Sequence, residues 1–166
     1  MGIQIRAERP DAEETEDDEC YIILECRYSG YNDYLMALAG IWGYTVYSSR
    51  PSFGDTIGAG MAELYAQMAA VKEHMTSKRY AEEKRRVMMT DPGRYCILYT
   101  GDNDIHWSPK TCGLIADALE TVDAQDLQAS VNQDHWPDNA MANMHTEFLE
   151  GLKKYCVGKG LHGIGG

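Results

Sequence analysis

The sequence predicts a mainly α-helical protein with a small β component, an α+β fold built as a single compact domain over residues 1–166. Two observations lead to this prediction. Apolar residues recur at helical spacing in four separate segments, whereas one short segment has the composition of a β-strand. The length of 166 residues, with 44% hydrophobic and 25% charged side chains, is typical of one globular domain.

The first predicted element is a strand. CYIILECRY, residues 20–28, is rich in β-forming side chains and is followed by a Ser-Gly break. A loop is predicted at residues 48–60, because SSRPSFGDTIGAG combines a proline with many small residues. Its glycines do not predict a phosphate-binding loop, since no Gly-Lys-Ser/Thr sequence follows them.

The first predicted helix covers residues 31–43. Its apolar and aromatic residues recur every three or four positions, which is the spacing of one helical face. We expect Ser29 to cap this helix at its start and Gly43 to end it. The residues of the face are Tyr31, Tyr34, Leu35, Leu38 and Ile41.

The strongest helical pattern lies in MAELYAQMAAVKEHM, residues 61–75. We expect its apolar stripe to pack in the core, and the alternative is that its methionines bind a partner. The stripe contains Met61, Leu64, Tyr65, Met68, Val71 and Met75. A charged helix over residues 77–89 follows, and its basic residues are interrupted by Glu82 and Glu83, which is typical of a solvent-exposed face.

The next region centres on a second clear helix, residues 109–120, with Ser108 as its cap and Pro109 in its first turn. Asp91-Pro92-Gly93 predicts a turn before it. Between them, RYCILYT at residues 94–100 favours a strand by composition, yet its position would also suit the entering helix of a helix–loop–helix. Both interpretations stay open. The buried side of the 109–120 helix is expected to contain Cys112, Ile115, Ala116 and Leu119.

The last helix is predicted over residues 141–156, after a polar connection with room for one helical turn. Its inward side is expected to contain Met141, Met144, Phe148, Leu152 and either Tyr155 or Cys156. The sequence then ends in VGKGLHGIGG. Its glycine content predicts a flexible tail over residues 157–166.

Much of the net charge of −11 comes from one acidic run near the N-terminus. Such a run repels itself, so we expect residues 9–19 to form a mobile, solvated segment. The alternative is an acidic arm that binds a basic partner. The carboxylates of the run are Asp11, Glu13, Glu14, Glu16, Asp17, Asp18 and Glu19. A net negative chain is also not expected to bind nucleic acid non-specifically.

Cysteine and histidine spacing gives no sign of a metal or disulfide framework. The five cysteines are an odd number and form no CxxC pair, which favours buried, reduced thiols. The five histidines form no HExxH or HxH pair, so a zinc enzyme has little support and no cofactor is expected. The chain shows neither a membrane-spanning apolar run nor a signal-peptide pattern, which predicts a cytoplasmic protein.

Four segments together resemble a family of uncharacterised bacterial and phage proteins. The family carries similar motifs in the same order as these segments, which are MGIQI, YSGYNDYLMALAG, DNDIHWSPKTCGLIADALE and FLEGLKKYC. In the family, the motif that corresponds to the third segment is HSDCDGExSPEECxxLAxxL. SPxxCxxIAxxL is the most specific part. The resemblance implies a fold rather than an activity, and it implies the cytoplasm of a host cell if the protein is encoded by a phage.

The resemblance also implies an EF-hand-like helix–loop–helix around residues 94–120, because the family motif is in register with a twelve-residue calcium loop. Here Asp102 and Asp104 occupy two ligand positions and Trp107 the apolar one. Ile105 replaces the turn glycine, and Thr111 replaces the closing glutamate. The loop is therefore predicted to be degenerate, with millimolar or no calcium affinity. The alternative is an Asx turn that opens the following helix.

Three hypotheses for function follow. We favour a non-enzymatic interaction protein that binds a host protein through an acidic surface, because no catalytic signature is present. The second hypothesis is a small-ligand binder with a pocket lined by aromatic residues, although we expect most of these residues to lie in the core. The residues are Tyr28, Tyr31, Tyr34, Trp42 and Trp107. The third is an enzyme that uses Asp102, Asp104 and His106 as acid–base groups, and a vestigial metal-binding module through Asp102 and Asp104 also stays open.

Overall fold

A computed structural model describes residues 2–10, 20–50, 61–100 and 105–165, without the side chains of residues 61, 64 and 75. It confirms a mainly helical α+β fold with a small antiparallel sheet. In chain order the elements of this part are β1 Gly2–Glu8, β2 Tyr21–Arg27, α1 Tyr28–Ile41, α2 Thr45–Ser48, α3 Met61–Thr76, α4 Lys78–Thr90, α5 Pro92–Tyr99, β3 Ile105–Trp107, α6 Pro109–Glu120, α7 Ala124–Ala129, α8 Ala140–Gly151, a π-helical turn Leu152–Cys156 and β4 His162–Gly165. The acidic run from residue 11 onward and residues 51–60 of the predicted loop lie outside the described residues.

The sheet has the strand order β2-β1-β4-β3, with antiparallel neighbours throughout. Its centre is formed by β1 and β4, which come from opposite ends of the sequence. Along β1 the side chains of Ile3, Ile5 and Ala7 are buried in alternation with partly exposed residues, because successive strand residues point to opposite faces. The predicted strand at 20–28 is confirmed as β2.

The prediction of a flexible tail over residues 157–166 is wrong for the part that forms β4. This strand pairs with β1 on one side and with β3 on the other. Its glycines have a packing role, since a Cβ at Gly165 would lie 2.7 Å from Cδ1 of Ile105. Glycine was therefore a sign of close approach between strands rather than of mobility.

The first helix is confirmed, but it begins earlier than predicted. Arg27 occupies the N-cap position of α1 without a side-chain cap bond, so Ser29 is not the cap. The predicted end is confirmed. Gly43 has φ +84°, and the N–H of Tyr44 donates to the carbonyl of Ala39 at 2.8 Å. This is a Schellman motif, which requires the left-handed conformation that glycine adopts most easily.

Asp91-Pro92-Gly93 starts a helix rather than forming a separate turn. The carboxylate of Asp91 accepts a hydrogen bond from the N–H of Arg94 at 3.1 Å, and Pro92 occupies the first helical position of α5. Residues 94–99 are therefore helical, which resolves the ambiguity in favour of helix. A Cβ at Gly93 would overlap the carbonyl oxygen of Leu114, so α5 and α6 pack at very close range.

The predicted helices at 109–120 and 141–156 form much of the core. Ser108 caps α6 as expected, and the four residues predicted for its buried side are all buried. In the C-terminal helix Met141, Phe148, Leu152 and Cys156 are fully buried, whereas Met144 and Tyr155 are partly buried. The last turn of this helix, Leu152–Cys156, is π-helical.

The helix predicted at 61–75 is confirmed as α3, but the expectation that its stripe packs in the core is wrong for the described side chains. Tyr65 is 61% exposed and Met68 is 51% exposed. Val71 is partly exposed, and none of the described side chains of α3 is buried. The side chains of the other three stripe residues lie outside the described set.

Candidate functional site

The loop between α5 and α6 was the first candidate site. Its aspartates, Asp102 and Asp104, lie outside the described residues. At the start of the loop the hydroxyl of Thr100 donates to the carbonyl of Cys96 and accepts from Nε1 of Trp107 at 3.2 Å. In the register of the twelve-residue calcium loop Thr100 takes the first position, where an Asp usually lies, and its side chain is thus already engaged within the fold.

The second half of this loop forms β3 and the cap of α6. Ile105 and Trp107 are buried, and His106 between them is exposed. Ile105 lies in the strand, whereas calcium loops need a sharp glycine turn at that position. The N–H of Thr111 donates to Oγ of Ser108 at 3.2 Å, as in an ordinary N-cap.

The described residues contain no group of three or more His, Cys, Asp and Glu side chains that could hold a metal ion. Calcium binding through the two undescribed aspartates stays a prediction. His106 is the described member of the predicted acid–base trio. Because it faces solvent on β3, the described part of the loop gives an acid–base site no support.

The aromatic residues proposed as a pocket lining are mostly core residues. Tyr31 is 4% exposed, Tyr34 is 0% exposed and Trp107 is 2% exposed. Phe148 lies between Tyr34 and Trp107, with ring centroids 6.2 and 6.4 Å away. Trp42 is partly buried, and the guanidinium of Arg94 lies 5.2 Å from its ring centroid. Tyr28, 39% exposed, is at the start of α1. Of the five proposed residues, Tyr34 and Trp107 are therefore linked through Phe148 in the core.

A buried polar pair inside this core was not predicted. The hydroxyl of Tyr34 lies 2.7 Å from Nδ1 of His145, which is 3% exposed. Burial lowers the pKa of His145, and hydrogen bonds to the backbone of Val122 and Leu119 partly offset that decrease. A neutral ring satisfies both sides, because Nδ1 accepts from the tyrosine while the other nitrogen donates to the backbone. The pair is a satisfied element of the core.

The carboxylate of Glu83 is a second feature that sequence reasoning missed. Glu83 is 7% exposed, and its oxygens accept hydrogen bonds from the N–H groups of Val46 at 3.4 Å and Tyr47 at 3.0 Å. These donors are in the first turn of α2, so Glu83 on α4 caps a helix about forty residues earlier in the sequence. No local pattern indicates such a contact, because its two partners meet only in the folded chain.

An exposed apolar patch of the described residues lies on α3. We define the α3 surface as Tyr65, Met68, Val71 and Lys72, which share one side of the helix at spacings of three and four residues. Ala70 is about 200° around the helix from Met68 and lines a surface cleft of about 590 Å³. The same cleft is lined by residues of α2 and the start of α4. The α3 surface therefore lies on the opposite side of the helix from this cleft.

Basic residues are concentrated on the neighbouring helix α4. Lys78, Arg79, Arg85 and Arg86 are exposed, as the sequence predicted for this face. Met88 is 47% exposed and Met89 is 75% exposed at the far end of the same helix. The helices α3 and α4 thus combine exposed apolar and exposed basic side chains in a chain whose net charge is −11.

These features define the class as an α+β protein with an exposed helix that carries apolar side chains beside a basic helix. Comparisons of the chain with family models, with curated proteins and with solved structures give no match. No helix in the described ranges is both long enough and apolar enough to span a lipid bilayer.

Proposed function

We propose that this chain is a non-enzymatic interaction protein that binds a partner protein through the α3 surface. The observation that carries the proposal is the exposure of Tyr65 and Met68 on a helix of 16 residues, with no described side chain of that helix buried. Helices in proteins derive most of their stability from packing of an apolar face. An apolar patch that the described part of the chain leaves exposed is typical of a surface that a partner covers.

The chemistry of the surface indicates the kind of partner. Tyrosine and methionine provide a large, adaptable contact area. Lys72 borders the apolar residues, and Lys78 and Arg79 follow just beyond the end of the helix. The partner is therefore an apolar helix or groove bordered by carboxylates, since opposite charges at the rim favour association.

The hypothesis of binding through an acidic surface rests on the sequence alone and stays a separate proposal, as does the origin in a phage. The two surfaces call for partners of opposite charge. Changing Glu13, Glu14 and Glu16 to Gln, with the remaining carboxylates of the run changed to their amides, would leave the α3 surface intact. Retention of the partner by that variant supports the α3 surface, and loss supports the acidic segment.

The direct test is site-specific photo-crosslinking in a cell lysate. A benzophenone amino acid replaces Met68 in one sample and Ile22 in the control; Ile22 is 55% exposed on the edge strand β2. We expect one product at position 68 that is absent at position 22. Its cross-linked peptide should carry acidic residues next to apolar ones. A product that contains a second copy of this chain would overturn the proposal of a foreign partner.

Substitution then tests whether the contact contributes to affinity. Met68→Glu places a carboxylate in the apolar face and should weaken binding of the identified partner at least about tenfold, since burial of one large apolar side chain contributes about 1.5 to 3 kcal/mol. Ile22→Glu is the matched control and should leave the dissociation constant unchanged. Equal affinities for both variants would contradict the role of α3.

A further inference from the structure

Two buried cysteines meet where the start of α6 faces the end of the π-helical turn. Cys112 and Cys156 are both 0% exposed, and their sulfur atoms lie 2.7 Å apart. Two reduced thiols do not normally approach so closely, and the sulfur atoms are only about 0.6 Å farther apart than in a disulfide bond. The other cysteines, Cys20, Cys26 and Cys96, are each partly exposed.

The backbone around the pair holds both sulfur atoms in place. Cys112 is the fourth residue of α6, at the end of its first turn, and its thiol is 3.7 Å from the carbonyl oxygen of Trp107. Cys156 ends the π-helical turn, and its thiol is 3.1 Å from the carbonyl oxygen of Leu161. The two sulfur atoms face each other and need to approach by only about 0.6 Å to form a bond.

The two thiols differ in acidity. The hydrogen bond with the Cys156 thiol lowers the pKa of Cys112, and a backbone hydrogen bond with Gly163 lowers it further, while burial acts in the opposite direction. The same contact with Cys112, together with burial, raises the pKa of Cys156. Burial also raises the pKa of Cys26 to about 12 and that of Cys96 above its ordinary value. Of these thiols Cys112 has the pKa that favours the thiolate, and Cys156 lies in direct contact with it as a resolving thiol.

We propose that Cys112 and Cys156 form a modification site, a dithiol that hydrogen peroxide, an oxidant small enough to enter a packed core, converts into an intramolecular disulfide. The thiolate of Cys112 attacks one oxygen of hydrogen peroxide, the O–O bond breaks, and hydroxide leaves, so that Cys112 becomes a sulfenic acid. The hydroxide takes the proton of Cys156. The Cys156 thiolate then attacks the sulfur of Cys112 and the S–O bond breaks, so that hydroxide leaves. This hydroxide takes up the proton that Cys112 released when it ionised, and a second water forms.

The reaction balances with the peroxide as the only oxidant. Two thiols and one peroxide give one disulfide and two waters, the sulfur atoms being oxidised and the peroxide oxygens reduced. The product links α6 to the segment that continues into β4, a central strand of the sheet. A cross-link between positions 112 and 156 restricts the unfolded chain more than the folded one, and we expect the melting temperature to rise by about 10 °C.

The test uses the full-length folded protein. Samples are treated with hydrogen peroxide, quenched with catalase, and alkylated with iodoacetamide in denaturant. Trypsin then gives the Cys112 peptide, residues 111–153, and the Cys156 peptide, residues 155–159. We expect these two peptides to be joined and 2 Da lighter than their sum, and the rise in melting temperature to disappear after dithiothreitol.

Two single variants and one control complete the experiment. Cys112→Ser and Cys156→Ser should each abolish the joined peptides and the peroxide-dependent change in melting temperature, whereas Cys26→Ser should retain both. The proposal is overturned if wild-type protein yields alkylated Cys112 and Cys156 after peroxide, or if the joined peptides form only in denaturant. The wild-type result alone decides this if a serine variant does not fold.

Discussion

The helices α3 and α8 show how similar sequence patterns reach different environments. Both have an apolar stripe with methionines at helical spacing. Met141 in α8 is 0% exposed, whereas Met68 in α3 is 51% exposed. The pattern therefore predicts that a helix forms, and it does not predict whether the rest of the chain covers its apolar side.

The surroundings of α8 explain its burial. The helix packs against α7, β2 and the π-helical turn. Its first N–H groups are also satisfied from outside the helix, because the side-chain oxygen of Gln128 accepts from Met141 at 2.9 Å and from Ala142 at 3.3 Å. The helix α3 instead contacts α4 and lines an open cleft. Its outward stripe has no such cover in the described part of the chain.

The largest effect is expected from a matched pair of methionine substitutions. Met141→Ala leaves a cavity in the core and should lower the free energy of unfolding by about 2 to 5 kcal/mol. Met68→Ala removes an exposed side chain and should change it by no more than about 0.5 kcal/mol. Urea denaturation of both variants measures the difference. Similar losses in the two variants would show that the stripe of α3 is covered in the free protein.

A second, smaller effect concerns the close contact between α5 and α6. Gly93→Ala forces its methyl group against the backbone of Leu114, so we expect a loss of about 1 to 3 kcal/mol in the free energy of unfolding. Gly113→Ala is the control within α6, where the nearest atom would be Cγ1 of Val157 at 3.8 Å. That variant should be neutral or slightly more stable, because alanine has the higher helix propensity. An unchanged free energy of unfolding in Gly93→Ala would show that α5 and α6 are farther apart than in this structure.

The buried His145 predicts a pH dependence of stability. Its pKa is lowered in the folded state from an ordinary value of 6.5, so the unfolded chain binds the proton more tightly. The contribution of the neutral His145 ring to the free energy of unfolding is complete above pH 6.5 and decreases as the pH falls below that value. Denaturation curves between about pH 7.5 and 5.5 should show this decrease.

The matched variants for this pH dependence are His145→Gln and His135→Gln, because His135 is exposed. In His145→Gln the free energy of unfolding should decrease less between these pH values, and in His135→Gln it should decrease as in the wild type. An unchanged slope in His145→Gln would show that other groups produce the dependence.

The smallest effect is expected from calcium. The melting temperature, read by tryptophan fluorescence, should be equal in chelator and in about 1 mM calcium, because Thr111 replaces the closing glutamate and its hydroxyl interacts with Ser108 at 3.1 Å. Trp107 in β3 reports on this region. A rise that disappears in Asp102→Asn would show that the loop retains an ion.

Most helices were predictable because their signals are local. Ser108 and Pro109 predicted the start of α6, and Gly43 predicted the end of α1, because caps and left-handed turns depend on a few adjacent residues. The strands β1, β3 and β4 were missed. Each is short, and β1 and β4 become central only by pairing with each other across almost the whole sequence. The glycines of β4 suggested a tail because their role is visible only beside Ile105.

The candidate site was predicted less well than the fold. The sequence directed attention to the loop with Asp102 and Asp104, and it named Tyr34 and Trp107, which are core residues in the structure. It also singled out the stripe of α3 but assigned it to the core. Whether a helical stripe is covered depends on which other segments pack against it, and in the described part of the chain Tyr65 and Met68 stay exposed.

The sequence by itself determined the helical class, the start of α6, the end of α1 and the charge pattern of α4, because these depend on residues within a turn or two of one another. Only the tertiary structure decided the contacts between distant residues. It brought Glu83 to the start of α2, Cys112 to Cys156, and β4 between β1 and β3. The physical reason is that burial and close packing depend on which segments meet, and a local pattern carries no information about a partner far away in the chain.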